Sequence, residues 1–269
     1  VGLGAVTVAD MSWTAWCGLV PWLYVPEPAG LARPVGAWLW APPDAGPALF
    51  ATAWLAYVAI TLGFFVRPAI LVALLVHAQL GALMPIAEQG VDHIVRTAML
   101  MMLFAPCDRR WAIGPSRRQD TIAAGHTDLL RWLIVLVYLG SGVAKPLSDW
   151  GAWMSLQGLP ATLKIMADPL SGAIDPELAW SARPLFKVLD VATLIFELGA
   201  PLLLTRWARG WAALGVIMHL GLFATMHLGQ FPWAMLAFYP LWYGAPALRW
   251  LDTRAPPTTA RPNPAGDHP

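Results

Sequence analysis

Charge is scarce in this chain. Asp, Glu, Lys and Arg make up 12% of its 269 residues, against about 25% in an ordinary soluble domain. The net charge is +1, and no dense basic block occurs, which excludes nucleic acid as a partner. Cysteine is nearly missing: Cys17 and Cys107 form neither a CxxC pair nor a disulfide framework. The spacings HExxH and GxSxG, the phosphate-binding loop and the dinucleotide glycine fingerprint are all absent. No internal repeat aligns. His219 and His227, eight residues apart, would stand about 12 Å from each other on a helix, too far to share one metal ion, so no metal is expected.

What fills the chain instead is apolar: 58% hydrophobic residues, with 16 Trp and 25 Pro. Trp gathers at bilayer interfaces, and Pro is tolerated in membrane-buried helices. The reading is an all-α, polytopic transmembrane bundle. Seven apolar stretches fall near the length needed to span a bilayer: 47–65, 68–87, 94–106, 127–145, 185–204, 208–228 and 231–247. A weaker eighth at 8–24 is interrupted by Asp10, Gly18 and Pro21. Residues 25–46 read as a loop, and 150–166 as an amphipathic or re-entrant piece within the long loop 146–184. The domain is expected over 1–252, followed by a Pro-rich, disordered cytoplasmic tail at 253–269.

Arginine orients this layout. Arg67, the group from Arg109 to Arg118, Arg206 with Arg209, and Arg249 with Arg254 fall in alternate connections, while the turns 88–92 and 229–231 carry no Lys or Arg. The positive-inside rule puts the Arg-rich loops in the cytoplasm, with the C-terminus, and the long loop after Lys145 outside. The expected location is the inner membrane.

Ionisable groups within such spans cost free energy unless solvated, paired or used. Lys145 ends one span on the outer side and His93 begins another there. His219 lies mid-span, with His227 at the outer end of the same stretch. Asp190 and Glu197, seven residues apart, share a helical face. Several of these have plain structural readings. Asp190 is expected to pair with Lys187 one turn earlier, and His77 to bond a neighbouring helix. Lys145 as an interfacial anchor is the plain alternative for that residue. Against it, Ser141 and Gly142 precede Lys145 on its own face, where small residues let helices approach closely. A lysine packed against protein can act as a base.

The stretches GSGVAKPLSDW (140–150) and MHLGLFATMHLGQFPWAMLAF (218–238) resemble the membrane domain of vitamin K-dependent γ-carboxylases, a domain shared with many bacterial proteins under the name HTTM. Tyr138, Gly142, Lys145 and Trp150 match one motif, and His219, Gly229, Phe231 and Pro232 a second. The stretch 92–114 resembles the family helix that begins with a His. The resemblance covers about residues 45–245 and implies that Lys145 deprotonates a reduced quinone (vitamin K hydroquinone or menaquinol), with O2 and CO2 as co-substrates. By the same resemblance, His93 and His219 assist the catalytic lysine. Tyr138, Ser141, Gly142, Trp150, Glu197 and His227 are expected to line the substrate pocket.

This chain departs from the family in three places. Within these 269 residues no counterpart is expected of the large extracytoplasmic domain that holds the animal enzyme's peptide. The family's Gly about three residues after the Trp is replaced here by Trp153 or Met154, and the Arg usual near the first helix is missing. The expected partners are membrane lipid and the quinone, with a peptide or protein acceptor or a partner subunit beside them. The alternative reading is a non-enzymatic scaffold, or a peptide-maturation or immunity partner that keeps the fold.

Overall fold

The computed structural model describes residues 1–23, 43–83, 90–105, 124–148, 153, 159–166, 175–225 and 228–243. Among these there is no strand. The helices are α1 (Gly2–Trp16), α2 (Val20–Leu23), α3 (Gly46–Leu62), α4 (Val66–Leu83), α5 (Gly90–Phe104), α6 (Ala124–Ser148), α7 (Leu159–Met166), α8 (Pro176–Ser181), α9 (Arg183–Leu198), α10 (Ala208–Thr225) and α11 (Phe231–Leu236). Short 3-10 turns at Pro43–Ala45 and Ala200–Leu204 complete them.

Two helical segments, Val66–Leu83 and Gly125–Leu147, are long and apolar enough to cross a membrane, and Gly46–Leu62 is apolar but shorter. The second segment has two contrasting faces. Leu129, Trp132, Leu136, Val143 and Leu147 are exposed along one side of α6, while Ile134, Val135 and Tyr138 are buried on the other. A soluble protein would place charge on that exposed side. An apolar side of this kind suits a helix placed against lipid.

The tightest element pair is the α3–α4 hairpin. Gly63, at φ 73°, closes α3. Its N–H bonds Ile60 O, and Phe64 N–H bonds Ala59 O at 2.7 Å, the paired bonds of a left-handed C-terminal cap. Phe65 completes the turn with φ 44°. Side chains from α1, α3, α4 and α5 form one apolar core around Tyr57, Ile70 and Val95. A second core gathers Tyr138, Phe196, Leu203, Met235 and Tyr239 from α6, α9, the 3-10 turn and the α11 region.

Several boundaries differ from the sequence reading. The first helix occupies Gly2–Trp16 rather than 8–24, because Gly18 turns left-handed at φ 68° and stops it. The expected span 185–204 changes pitch after Leu198 into the 3-10 turn. The last span, 231–247, is interrupted: helix runs to Leu236, a turn occupies 237–239, and helix resumes at 240–243. Just beyond the turn the guanidinium of Arg131 donates to Leu241 O through Nε (3.1 Å) and Nη2 (2.5 Å), tying α6 to this segment. Of the expected amphipathic piece 150–166, the described part is α7 with the single residue Trp153, and the tail 253–269 lies outside the described residues.

Asp190 does not pair with Lys187. Its Oδ1 accepts the backbone N–H of Ala161 in the first turn of α7 at 3.1 Å. Asp190 is buried whereas Lys187 is exposed, so the nearby cation stays in its own solvation and the carboxylate meets the orphan amides of a helix start. Ala161 and Phe186 then pack with Leu222 and Leu228, locking α7 over α9 and α10.

Candidate functional site

Tyr138, Ser141, Gly142 and Lys145 recur at three- and four-residue steps and so share one face of α6. That face meets α9 closely at Gly142. A Cβ there would lie 2.9 Å from Glu197 Cβ and 3.1 Å from Leu198 N, so only glycine fits. The close approach brings Glu197 to Lys145. The Lys145 ammonium donates to both carboxylate oxygens of Glu197, with 2.5 Å to Oε1, and to Ser141 Oγ at 2.7 Å. Ser141 in turn donates to Glu197 Oε1 at 3.2 Å. The ring of Trp153 stands 5.4 Å from Lys145 Nζ, within cation–π reach. The pair is largely removed from solvent: the Lys145 side chain is 20% exposed and that of Glu197 8%.

One turn deeper on the same face lies a second set. Tyr138 OH is 2.6 Å from His219 Nε2 and 2.7 Å from Tyr239 OH, and all three side chains are buried. Gly215 on α10 makes room for this. A Cβ at that position would come within 2.0 Å of the Tyr239 hydroxyl oxygen. Phe231 packs edge-on to the His219 ring with centroids 5.5 Å apart. His219 Nδ1 is buried and has no hydrogen-bond partner among the described residues. A buried polar atom of this kind calls for a water or ligand group to meet it.

A third set joins other helices. Tyr57 OH is 2.5 Å from His77 Nδ1, His77 Nε2 is 3.3 Å from Asp92 Oδ1, and Gln230 Nε2 donates to Asp92 Oδ1 at 2.9 Å. With the proton on His77 Nε2, every bond in this line has a donor and an acceptor. The expectation that His77 bonds a neighbouring helix holds, and it bonds two. Gln230 Oε1 has no partner among the described residues. The line ends where α11 begins, one residue before Phe231.

A family model, that of the HTTM domain, matches residues 3–246. The chain belongs to the HTTM family. This places the HTTM chain in a membrane-associated family related to the vitamin K-dependent carboxylases. Neither a curated protein nor a solved structure matches it.

Of the residues singled out from sequence, this HTTM domain brings Lys145, Ser141, Gly142 and Glu197 into direct contact, sets Tyr138 on the same face of α6, and joins His219 of α10 to it through the Tyr138 hydroxyl. His93 joins another group: its side chain is exposed on α5, and its Nδ1 is 3.0 Å from the Arg96 guanidinium, which also reaches His77 O at 3.5 Å. Trp150 and His227 lie outside the described residues. Sequence reasoning missed Tyr239 and the line through Tyr57, Asp92 and Gln230. Tyr239 follows an unbroken apolar run, and only the opposing Gly215 hints that something needs space. Trp153, noted from sequence only as a departure from the family, stands at the lysine itself.

Proposed function

We propose that this HTTM protein is an integral-membrane enzyme of the carboxylase type, in which Lys145 takes a proton from a reduced quinone. The observation that carries this reading is the placement of Lys145 on the α6 face that also bears Tyr138 and, through it, His219. A partly buried lysine and, two turns away on the same helix face, a buried tyrosine bonded to an imidazole with an unpartnered ring nitrogen stand along one side of α6. A phenolic hydroxyl has an ordinary pKa near 10, so its ionisation needs a matched base and donors for the resulting charge. Lys145 supplies the first; Ser141 and the His219 Nδ1 position are available for the second.

The residues fit a hydroxylated aromatic ligand. His219 Nδ1 and Gln230 Oε1 are buried polar atoms without partners among the described residues, and Phe231, which follows Gln230 and packs edge-on to the His219 ring, adds an apolar ring beside His219. When bound, the quinol supplies reducing power toward O2, coupled to carboxylation or related chemistry with CO2 on an acceptor. In this reading the bundle crosses the inner membrane seven or eight times. Lys145 opens toward the exterior, the C-terminus is cytoplasmic, and a quinol reaches the site from the outer leaflet.

The decisive experiment measures quinol binding and oxygen-dependent consumption by the purified protein in detergent, beside Lys145→Ala and His219→Ala variants shown to be folded. Turnover by the wild type and a folded, inert lysine variant support the reading. No binding and no turnover would sink it. A second reading, a scaffold or a peptide-maturation or immunity partner, is favoured by one observation: Lys145 is held in a satisfied ion pair, as a structural lysine would be.

A further inference from the structure

That ion pair creates a difficulty for the quinol reading, and its geometry resolves it. Lys145 Nζ hands hydrogen bonds to three oxygens at once, Glu197 Oε1, Glu197 Oε2 and Ser141 Oγ. Three donors on one nitrogen describe an ammonium, and an ammonium has no lone pair with which to accept a proton. Lys145 can act as a base only after shedding one. Ser141 cannot keep that proton, because a hydroxyl that gained one would be a strong acid. The carboxylate of Glu197 can.

We infer that Glu197 is the terminal proton acceptor of the site and that Lys145 is the carrier between it and the substrate hydroxyl. The inference rests on the quinol reading above. In the resting protein the pair is Lys145 ammonium with Glu197 carboxylate. Transfer of one N–H proton to a carboxylate oxygen gives a neutral amine and a neutral carboxylic acid, with no change in total charge. The amine lone pair then takes the proton of the substrate O–H, whose electron pair stays on the oxygen. Lys145 is an ammonium again, Glu197 stays protonated, and the substrate oxygen carries the negative charge. One O–H bond has broken and one carboxyl O–H bond has formed.

The fold favours this exchange. Gly142 lets α6 and α9 approach closely, which keeps the donor and acceptor within hydrogen-bond reach. Burial makes a neutral pair less costly relative to an ion pair than it would be in water. After the transfer, the ammonium faces a negative oxygen on the substrate side and a neutral acid on the other. The charge pairing has moved from Glu197 to the ligand, so the substrate anion replaces the carboxylate as the partner of Lys145.

The test is infrared difference spectroscopy of the detergent-solubilised protein, mixed without oxygen with vitamin K hydroquinone. Ionisation of the hydroquinone is followed in parallel by its ultraviolet absorbance, and binding by quenching of Trp fluorescence. The expected result is a new protonated-carboxyl band in the wild type, matched one for one by ionised hydroquinone. In Glu197→Gln, band and ionisation, each normalised to the hydroquinone bound, should both fall at least tenfold. Glu197→Asp, which keeps a carboxyl group, should recover part of both. If wild type ionises hydroquinone with no new carboxyl band, or Glu197→Gln ionises it undiminished, the relay is wrong and the quinol reading survives. If wild type binds no hydroquinone, the quinol reading falls and takes the relay with it.

Discussion

Two glycines decide which polar groups can meet. Gly142 admits Glu197 to Lys145, and Gly215 admits the Tyr239 hydroxyl to Tyr138. Gly215→Ala is expected to push Tyr239 away and to cost about 1–3 kcal/mol, as overpacked sites do, seen as a lower Tm in detergent. Gly221, on the same helix with nothing within 4 Å of a built Cβ, is the control. Its change to alanine should leave Tm unchanged or slightly raised, since alanine favours helix more than glycine does. At the lysine, Lys145→Met leaves the Glu197 carboxylate buried beside Ser141 alone and should destabilise by about 3 kcal/mol. The double change Lys145→Met with Glu197→Met should recover most of that, measured as a thermal double-mutant cycle. Lys145 and His219 were legible because charge and imidazole stand out against an apolar run. Glu197 was ambiguous, since its cation lies 52 residues away in the chain and no local spacing reveals it. Tyr239 was invisible for a related reason: a tyrosine in a membrane span is unremarkable until the hydroxyl it meets is known.

The helices themselves were easier to find than their ends or attachments. Periodicity located the long apolar runs, yet Pro146, which removes only one backbone donor, does not stop α6, and the helix continues to Ser148. Asp190 shows how local spacing can mislead. A lysine three residues earlier suggests an ion pair, but a buried carboxylate gains more from the orphan N–H groups of a helix start than from a solvated cation. The cap comes from α9, a different helix, so no capping signature appears in the sequence next to α7. Asp190→Ala should loosen α7 by about 1 kcal/mol, in the range of lost N-caps. Amide hydrogen exchange should accelerate at residues 161–163 while the α3–α4 hairpin keeps its protection. Equal acceleration in both regions would mean that Asp190 supports the whole bundle and not the α7 attachment.

At the level of the whole molecule, the all-helical class and the family were readable from composition and from the motifs around Lys145 and His219. The count of spans was not settled in the same way. A run of apolar residues reads as one span in sequence, whereas the backbone can change pitch within it, as it does at Ala200–Leu204 and at 237–239. Among the described residues, two helical segments are both long and apolar enough for a crossing. Orientation rests on the alternation of arginines, and it decides on which side of the bilayer a ligand could reach Lys145. It is open to direct test. In a background with Cys17 and Cys107 replaced by serine, Phe64→Cys beside the Arg67 turn and Glu177→Cys at the start of α8 place one thiol at each predicted face. Both parent side chains are exposed, so neither change needs repacking. A membrane-impermeant maleimide added to intact spheroplasts should label position 177 and leave 64 untouched until the membrane is opened. The reverse pattern would turn the bundle over and put Lys145 near the cytoplasmic surface, where the proposed outer-leaflet entry fails even with every contact of the lysine intact. Labelling of both positions in intact spheroplasts would place the α3–α4 turn outside as well, and the alternating topology built on Arg67 would have to be abandoned.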